Sequence, residues 1–459
     1  MINIKNILLV PINETSLNEM IDLNSHLKDY ANVYFLPLVD KGADGFKKKY
    51  LKIKNEINTI ESNALIKEQN ICKIIQLKKF KLIKKNIYKC LMCFSEFELL
   101  NKYLIKLQKK NANNLVEIYK GKLSKYNIYS AVLYDDRSKQ VLPFIKACND
   151  LKITTVIVPL AEFANIEMLM ILRRNKKKYS NYKKFKNYPK LLNQYKKDPI
   201  SNKYVSYYDY YTTIAYNNIN ILSLNPWIIG GGNANKVLVD SKIYKNEAIK
   251  NGCYDEKIIV TGMMQYDKLY NIYRDRITYK NNLINKYNLE NKKKLIILSL
   301  PHHYEHKMIE WSEHIEIINQ IIKSLEHFDI NLIISLHPKM DEENYKHIKK
   351  YNLQIIKEKL IDVLPFVDLL ITPFSTIIKW ALLCKVPSVI LNLYGENYSQ
   401  YDKDKRIVKI NSINRLNETF NEVLKTSYLD QFERSAKESS KNNLFDGCCT
   451  KRIIEEIIN

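Results

Sequence analysis

The chain has 459 residues, of which 46% are hydrophobic and 27% charged, and its formal charge is +24. That length gives two or three domains of roughly 100–200 residues each, with enough apolar material for cores that need no disulfide or structural metal. No uninterrupted apolar run approaches the roughly 18–20 residues of a membrane-spanning helix, and residues 1–10 read as an amphipathic first strand with no cleavage site behind it, so a cytoplasmic protein is expected.

The positive excess turns attention to nucleic acid, anionic lipid or phosphorylated substrates as partners. Part of the lysine, asparagine and isoleucine excess also reflects an AT-rich genome. The eight cysteines are scattered. Cys90 and Cys93 form one CxxC, with no second pair and no histidine at ligand spacing, so ordinary reduced thiols are expected and neither metal nor cofactor is.

Apolar runs at 7–12 and 33–39 flank a segment, 15–27, in which Leu17, Met20, Ile21 and Leu27 recur at helical spacing. A strand–helix–strand unit of this kind makes a parallel sheet with a right-handed crossover. The alternation resumes with a strand at 128–134, a helix at 141–151 and a strand at 153–160. Between them, 47–125 is lysine-rich with a helical period and reads as an inserted helical subdomain or a set of long surface helices. A second insertion, 165–227, carries basic runs at 173–178 and 183–186 and a tyrosine-rich run at 204–211. Basic residues interleaved with aromatics suit a membrane–water interface or stacking on bases or sugars. The plainer alternative is a solvated basic helix followed by a packed tyrosine loop.

Next come a strand at 234–239, a helix at 241–250 closed by Gly252, and a strand at 257–261 closed by Gly262. The polar, helical stretch 263–291 crosses to a second cycle. It has strands at 295–300, 331–336, 354–356, 369–372 and 388–393, with helices at 308–325, 342–351 and 375–384. The expected class is α/β, with two Rossmann-like doubly wound domains facing a cleft and helical basic insertions in the first. The domains are placed at 1–265, with insertions at about 47–125 and 165–227, and at 266–459.

Ligands of open parallel sheets bind at the strands' carboxyl ends. In the second domain these ends carry Pro301, His302, His303 and His306; then His337, Pro338 and Lys339; then Ser375 and Thr376; and last Glu396. Seven of the eight histidines lie between His302 and His347. His302, His303 and His337 face the strand ends, whereas His314, His327 and His347 fall in helices and read as surface residues. Zinc held by 302, 303, 306 and 337 matches no established ligand spacing. Ser375 and Thr376 open a helix, where unpaired N–H groups, the dipole and two hydroxyls suit a phosphate. The alternative for Ser375 is a plain helix cap.

The run 331–339, with its Ser-Leu-His337-Pro338-Lys339, and the run 362–387, with its Thr-Pro-Phe-Ser375-Thr376, resemble the C-terminal half of GT-B glycosyltransferases. Within that group they look most like the CDP-glycerol glycerophosphotransferases of teichoic-acid synthesis and other capsule-polysaccharide transferases. The resemblance implies that His337, Pro338, Lys339, Ser375 and Thr376 hold the donor's phosphates. The segment 257–267 is similar to the "VTG…D" segment ending the first domain of that group, which makes Gly262, with Glu396, a candidate for nucleotide or sugar contact. The likeness covers roughly 230–395 well and the first 160 residues only by pattern.

The implied function is transfer from a nucleotide-activated sugar or polyol donor to a lipid-linked or polysaccharide acceptor. The expected setting is cytoplasmic, with attachment to the anionic inner face of the membrane, and nucleic acid is not an expected partner. One departure is that the family's His-Gly after the strand at 153–158 is replaced by Pro159-Leu-Ala-Glu162. Glu162 is the first candidate base, with a helix-opening role as its alternative, and His302 or His303 the next. A second departure, Ser-Thr for Ser-Ser, is chemically mild. UDP-N-acetylglucosamine 2-epimerases are the second resemblance, through His302 or His303, the His-Pro pair and Glu396. Their Gly-Thr-Arg-Pro-Glu and Ser-Gly-Gly signatures are absent here. A third reading is a non-catalytic nucleotide-sugar or nucleic-acid binder on a decayed scaffold.

Overall fold

The computed structural model describes residues 4–38, 44–53, 57–60, 98–160, 166, 169–170, 189–198, 201–351, 353–394, 401–402, 404, 406–425 and 444–459. They divide into two units, Met1–Met263 with Thr450–Asn459, and Met264–Cys449.

In the first unit, strand β1 (Lys5–Val10) buries Ile7, Leu8, Leu9 and Val10 completely. Burial on both faces is what a continuous apolar run gains at the centre of a parallel sheet. Helix α1 (Glu14–Leu27) follows, opened by a capping box in which Asn13 accepts the Ser16 N–H and Ser16 Oγ accepts the Asn13 N–H. Its Leu17, Met20, Leu23 and Leu27 form the buried face. Strand β2 (Ala31–Phe35) is shorter than the apolar run that signalled it.

Of the lysine-rich insertion, α2 (Asp44–Ile53) and the long α3 (Glu98–Leu123) are described, and the residues between 60 and 98 lie outside the described set. Ala112, Val116, Tyr119 and Leu123 of α3 are buried, so this helix is part of the core and not a free surface helix. Then come β3 (Ile128–Leu133), α4 (Val141–Asp150) and β4 (Thr154–Ile157).

The second insertion contributes a small antiparallel hairpin, β5 (Tyr195–Lys197) with β6 (Tyr204–Ser206), and α5 (Tyr210–Asn217). Its tyrosines are packed. Tyr195, Tyr208 and Tyr216 are buried with Ala112 and Leu142, Tyr207 meets the fully buried Trp227 edge-on at 5.7 Å, and the Tyr208 hydroxyl donates to the Arg137 carbonyl. The buried tyrosines therefore do not form an aromatic membrane face, and the basic residues 173–178 and 183–186 lie outside the described set. Strand β7 (Lys236–Val239), helix α6 (Lys242–Lys250, capped by Ser241) and strand β8 (Ile258–Val260) complete a wholly parallel sheet of order β2-β1-β3-β4-β7-β8. Gly252, at φ +89°, ends α6 as a C-terminal glycine should.

The second unit begins with α7 (Met264–Arg274) and α8 (Arg276–Lys286). Its sheet contains β9 (Lys294–Ser299), β10 (Ile330–Ser335), β11 (Gln354–Ile355), β12 (Leu369–Thr372), β13 (Ser388–Leu391) and β14 (Ile407–Ile410), all parallel, in the order β11-β10-β9-β12-β13-β14. Helix α9 (Trp311–Leu325) lays Ile317, Ile318, Ile321, Ile322 and Leu325 on it. Residues Glu342–Tyr351 form a 3-10 helix, and α10 spans only Ile377–Leu383, starting after Ser375 and Thr376. Helix α11 (Leu416–Val423) packs Leu416, Phe420 and Val423 on the same core.

The last helix, α12 (Cys449–Ile458), returns the chain to the first unit, where residues 450–459 belong, and not to the second. There Ser130 Oγ donates to the Ile457 carbonyl at 2.9 Å and Arg452 Nε to the Thr261 carbonyl at 3.0 Å. No helix among the described residues is long and apolar enough to cross a membrane.

Candidate functional site

A doubly wound sheet opens its ligand crevice where the strand order reverses, outside the carboxyl ends of the strands. In the second unit that point lies between β9 and β12. The loop after β9 carries 300–306 and the loop after β12 carries 373–376, so the sequence candidates sit on its two sides. His337 follows β10, the neighbour of β9 on the side away from β12. His337 and Ser375 therefore do not lie at adjacent strand ends. His302 lies on the loop after β9, the strand between theirs.

Strands β9 and β10 run in register, Ser299 opposite Ser335, and this brings the two histidine loops side by side. The His302 ring lies flat on His337, with centroids 4.0 Å apart and planes 7° apart. His306 stands edge-on to His302 at 4.8 Å. Burial, then the neighbouring His337, His306, His303 and Lys339, pushes the His302 pKa down to about 3. His337 is also lowered, by burial and by Lys339 and His306, against the opposing pull of Glu305. Both rings are thus neutral at pH 7. The Nδ1 of His337 accepts the Lys339 N–H at 3.1 Å, so its Nε2 carries the proton and can donate. Pro338 and Lys339 are exposed beside it.

Across the switch point, Ser375 is half-buried and Thr376 exposed. Thr376 is the N-cap residue of α10 and makes no side-chain cap hydrogen bond. Ser375 contributes its carbonyl, which accepts the Ile378 N–H at 3.3 Å. The helix has seven residues and its Ile378 and Lys379 N–H groups bond the Ser375 and Thr376 carbonyls, so its dipole is modest, and the two hydroxyls with the amides that precede Ile378 are what this loop can offer an anion.

Behind the histidine loop is a group the sequence reading missed. His314 is fully buried, not a surface residue. Its Nε2 lies 3.1 Å from the Tyr345 hydroxyl and its Nδ1 3.3 Å from that of Tyr394. Tyr345 donates to Glu305 Oε1 at 2.7 Å, and Tyr394 stacks on His303 at 3.7 Å with 10° between planes. The signal was present, because His314 continues the three- and four-residue spacing of Ile317, Ile318, Ile321 and Leu325 along the buried stripe of α9.

In the first unit, Gly262 is buried at φ +80° and its N–H donates to the Val239 carbonyl at 3.2 Å, a turn that favours glycine. After β3, Asp136 is fully buried and accepts the N–H groups of Gly230 at 3.1 Å and Gly232 at 2.8 Å. Burial raises its pKa against the opposing effects of Lys257 and these two amides. Glu162 and Glu396 lie outside the described residues. A set of metal-type ligands among the described residues, Asp267, Asp446 and Cys449, is engaged at the start of α12. Asp267 accepts the Cys449 N–H and Asp446 the Cys448 N–H.

Residues 232–458 match the family model of the CDP-glycerol:poly(glycerophosphate) glycerophosphotransferases. The chain is a transferase of the GT-B type. No curated protein matches its sequence. Among solved structures, the transferase resembles the UDP-GlcNAc 2-epimerase of Neisseria meningitidis bound to UDP-GlcNAc, with 12% identity, 99% of each chain covered and a TM-score of 0.50. It also resembles the wall teichoic acid polymerase TagF, with 11% identity, 99% of this chain and 88% of that one covered, and a TM-score of 0.50. At such identities the likeness is one of fold.

Proposed function

We propose that the transferase moves a polyol phosphate, in the first place the glycerol phosphate of CDP-glycerol, onto a growing cell-surface polymer. The observation that carries this reading is the placement of the histidine loop and the Ser375–Thr376 loop on the two sides of the switch point, inside the segment that matches the glycerophosphotransferase family. The second unit takes the donor and the first unit the acceptor. His337 Nε2–H, Lys339 and the hydroxyls and amides at Ser375 and Thr376 hold the diphosphate, with Pro338 shaping the turn. Gly262 and Glu396 serve the nucleotide or the transferred group.

In the transfer an acceptor hydroxyl oxygen bonds to the glycerol-bearing phosphorus. The bond from that phosphorus to the bridging oxygen breaks, CMP leaves, and the hydroxyl proton passes to a base. Glu162 is our first assignment for that base and His302 or His303 the second. The acceptor is a lipid-linked or polysaccharide chain, and the basic runs at 173–178 and 183–186 attach the protein to an anionic membrane face, each charge adding about 1 kcal/mol at low salt. A screen of thermal stability against CDP-glycerol, UDP-GlcNAc, a CMP-linked and a GDP-linked sugar tests the donor class. CDP-glycerol should raise the melting temperature most. A shift with UDP-GlcNAc alone would favour the epimerase reading, and none with any donor would overturn the proposal.

A further inference from the structure

Glu305, Tyr345, His314 and Tyr394 form one directional chain of hydrogen bonds. Tyr345 commits its single proton to the Glu305 carboxylate at 2.7 Å, so the His314 nitrogen at 3.1 Å, Nε2, must carry a proton and donate to the Tyr345 oxygen. Burial disfavours the charged imidazole, which leaves Nδ1 as an acceptor for the Tyr394 hydroxyl at 3.3 Å. The neutral tautomer is therefore set by its surroundings.

Both arms end on the histidine loop. One reaches Glu305 through Tyr345, in the 3-10 helix after β10. The other reaches His303 through Tyr394, after β13, whose ring lies on the imidazole at 3.7 Å. A single side chain of α9 thus ties together the loops that follow β9, β10 and β13.

We propose that His314 is a positioning residue for the donor site, holding the loop 301–306 in the shape that stacks His302 on His337. This rests on the reading of that loop as part of the donor site. A loop held from beneath by two rigid aromatic arms needs no reordering when an anion arrives, and support of this kind decides whether a site is accurate or loose. The two arms hold the loop where His302 packs on His337 at 4.0 Å and on His306 at 4.8 Å, beside His303 and Lys339.

The test uses the full-length protein, with His314→Phe removing both hydrogen bonds at similar volume and His314→Gln restoring one donor and one acceptor. CDP-glycerol is the probe in calorimetry, and ring-labelled histidine followed by NMR reports the titration of His302 and His337 without ligand. His314→Phe should weaken CDP-glycerol binding at least tenfold and move the His302 titration from about 3 toward the ordinary value of 6.5, with far-UV circular dichroism unchanged. His314→Gln should recover most of both. Unchanged affinity and unchanged titration in His314→Phe would overturn the proposal. If the wild type binds no CDP-glycerol, the donor reading fails and the titrations alone decide the positioning role. If His314→Phe does not fold, Tyr394→Phe and Tyr345→Phe, each removing one arm, take its place under the same criteria.

Discussion

Neutral imidazoles meet an anion differently from fixed cations. With its pKa at about 3, His302 is uncharged at physiological pH, and a bound diphosphate would raise that value by favouring the charged ring. Donor binding should therefore take up protons. Calorimetry of CDP-glycerol binding at pH 6 in two buffers of different ionisation enthalpy should show uptake, and His302→Gln should reduce it. The same shift acts on the free protein. A folded pKa below the unfolded 6.5 means that the unfolded chain binds the extra proton, so His302 contributes no penalty above about pH 6.5 and destabilises progressively as the pH falls toward about 3. Urea titrations of His302→Gln should accordingly show a flatter loss of stability across that range. If His337 and Ser375 hold the donor phosphates as proposed, His337→Ala and Ser375→Ala should each weaken donor binding by about 1.5–3 kcal/mol, with circular dichroism unchanged. Equal affinity of both variants and wild type in calorimetry would remove them from the site. The strand-end histidines were legible because a parallel sheet exposes the residues after each strand. The burial of His314 was legible in its spacing along α9, but its partners were not, because Tyr345 and Tyr394 lie 31 and 80 residues away.

Among elements, the loop Gly230–Gly231–Gly232 depends most on its residue types. A Cβ on Gly231 would lie 2.0 Å from the Asn225 carbonyl oxygen, and one on Gly232 2.0 Å from that of Asp136. The absence of side chains lets the Gly230 and Gly232 amides reach the buried Asp136 carboxylate. Gly232→Ala should destabilise the first unit by about 1–3 kcal/mol or more, as overpacking does. Chemical denaturation checks this, and a loss under 0.5 kcal/mol would show that the loop yields. Most strands and helices could be read from period and punctuation, since β1, β3, β9, β10, β12 and β13 are apolar runs bounded by polar or turn residues. Strand β14 was not legible, because its four residues include Lys409 and give too short an alternation to stand out. The helix expected over 342–351 is present as a 3-10 helix, a type that spacing alone does not separate from an α-helix over ten residues.

At the scale of the whole molecule, each six-stranded sheet is wholly parallel with crossovers, and this was foreseeable from β/α alternation. The return of the last helix to the first unit was not, because an amphipathic face announces burial without naming its partner. Residues Ile453, Ile454 and Ile457 are buried there, and each is worth about 1.5–3 kcal/mol relative to exposure. Deleting 450–459 should therefore loosen the first unit and leave the second intact. Hydrogen exchange should show protection falling around β3 and β7, which the helix touches through Ser130 and Lys236, and persisting in β9 and β10. Under the proposed function this chain transfers a polyol phosphate from a CDP-linked donor. The most direct test follows CMP release from CDP-glycerol in the presence of a glycerophosphate-primed lipid acceptor, with product mass measured in parallel. One CMP should appear for each glycerol phosphate added, with a rate lower by about 10-fold or more in His337→Ala, as the loss of a charged-group hydrogen bond implies. No CMP release, or conversion of UDP-GlcNAc to its 2-epimer by the same preparation, would contradict it.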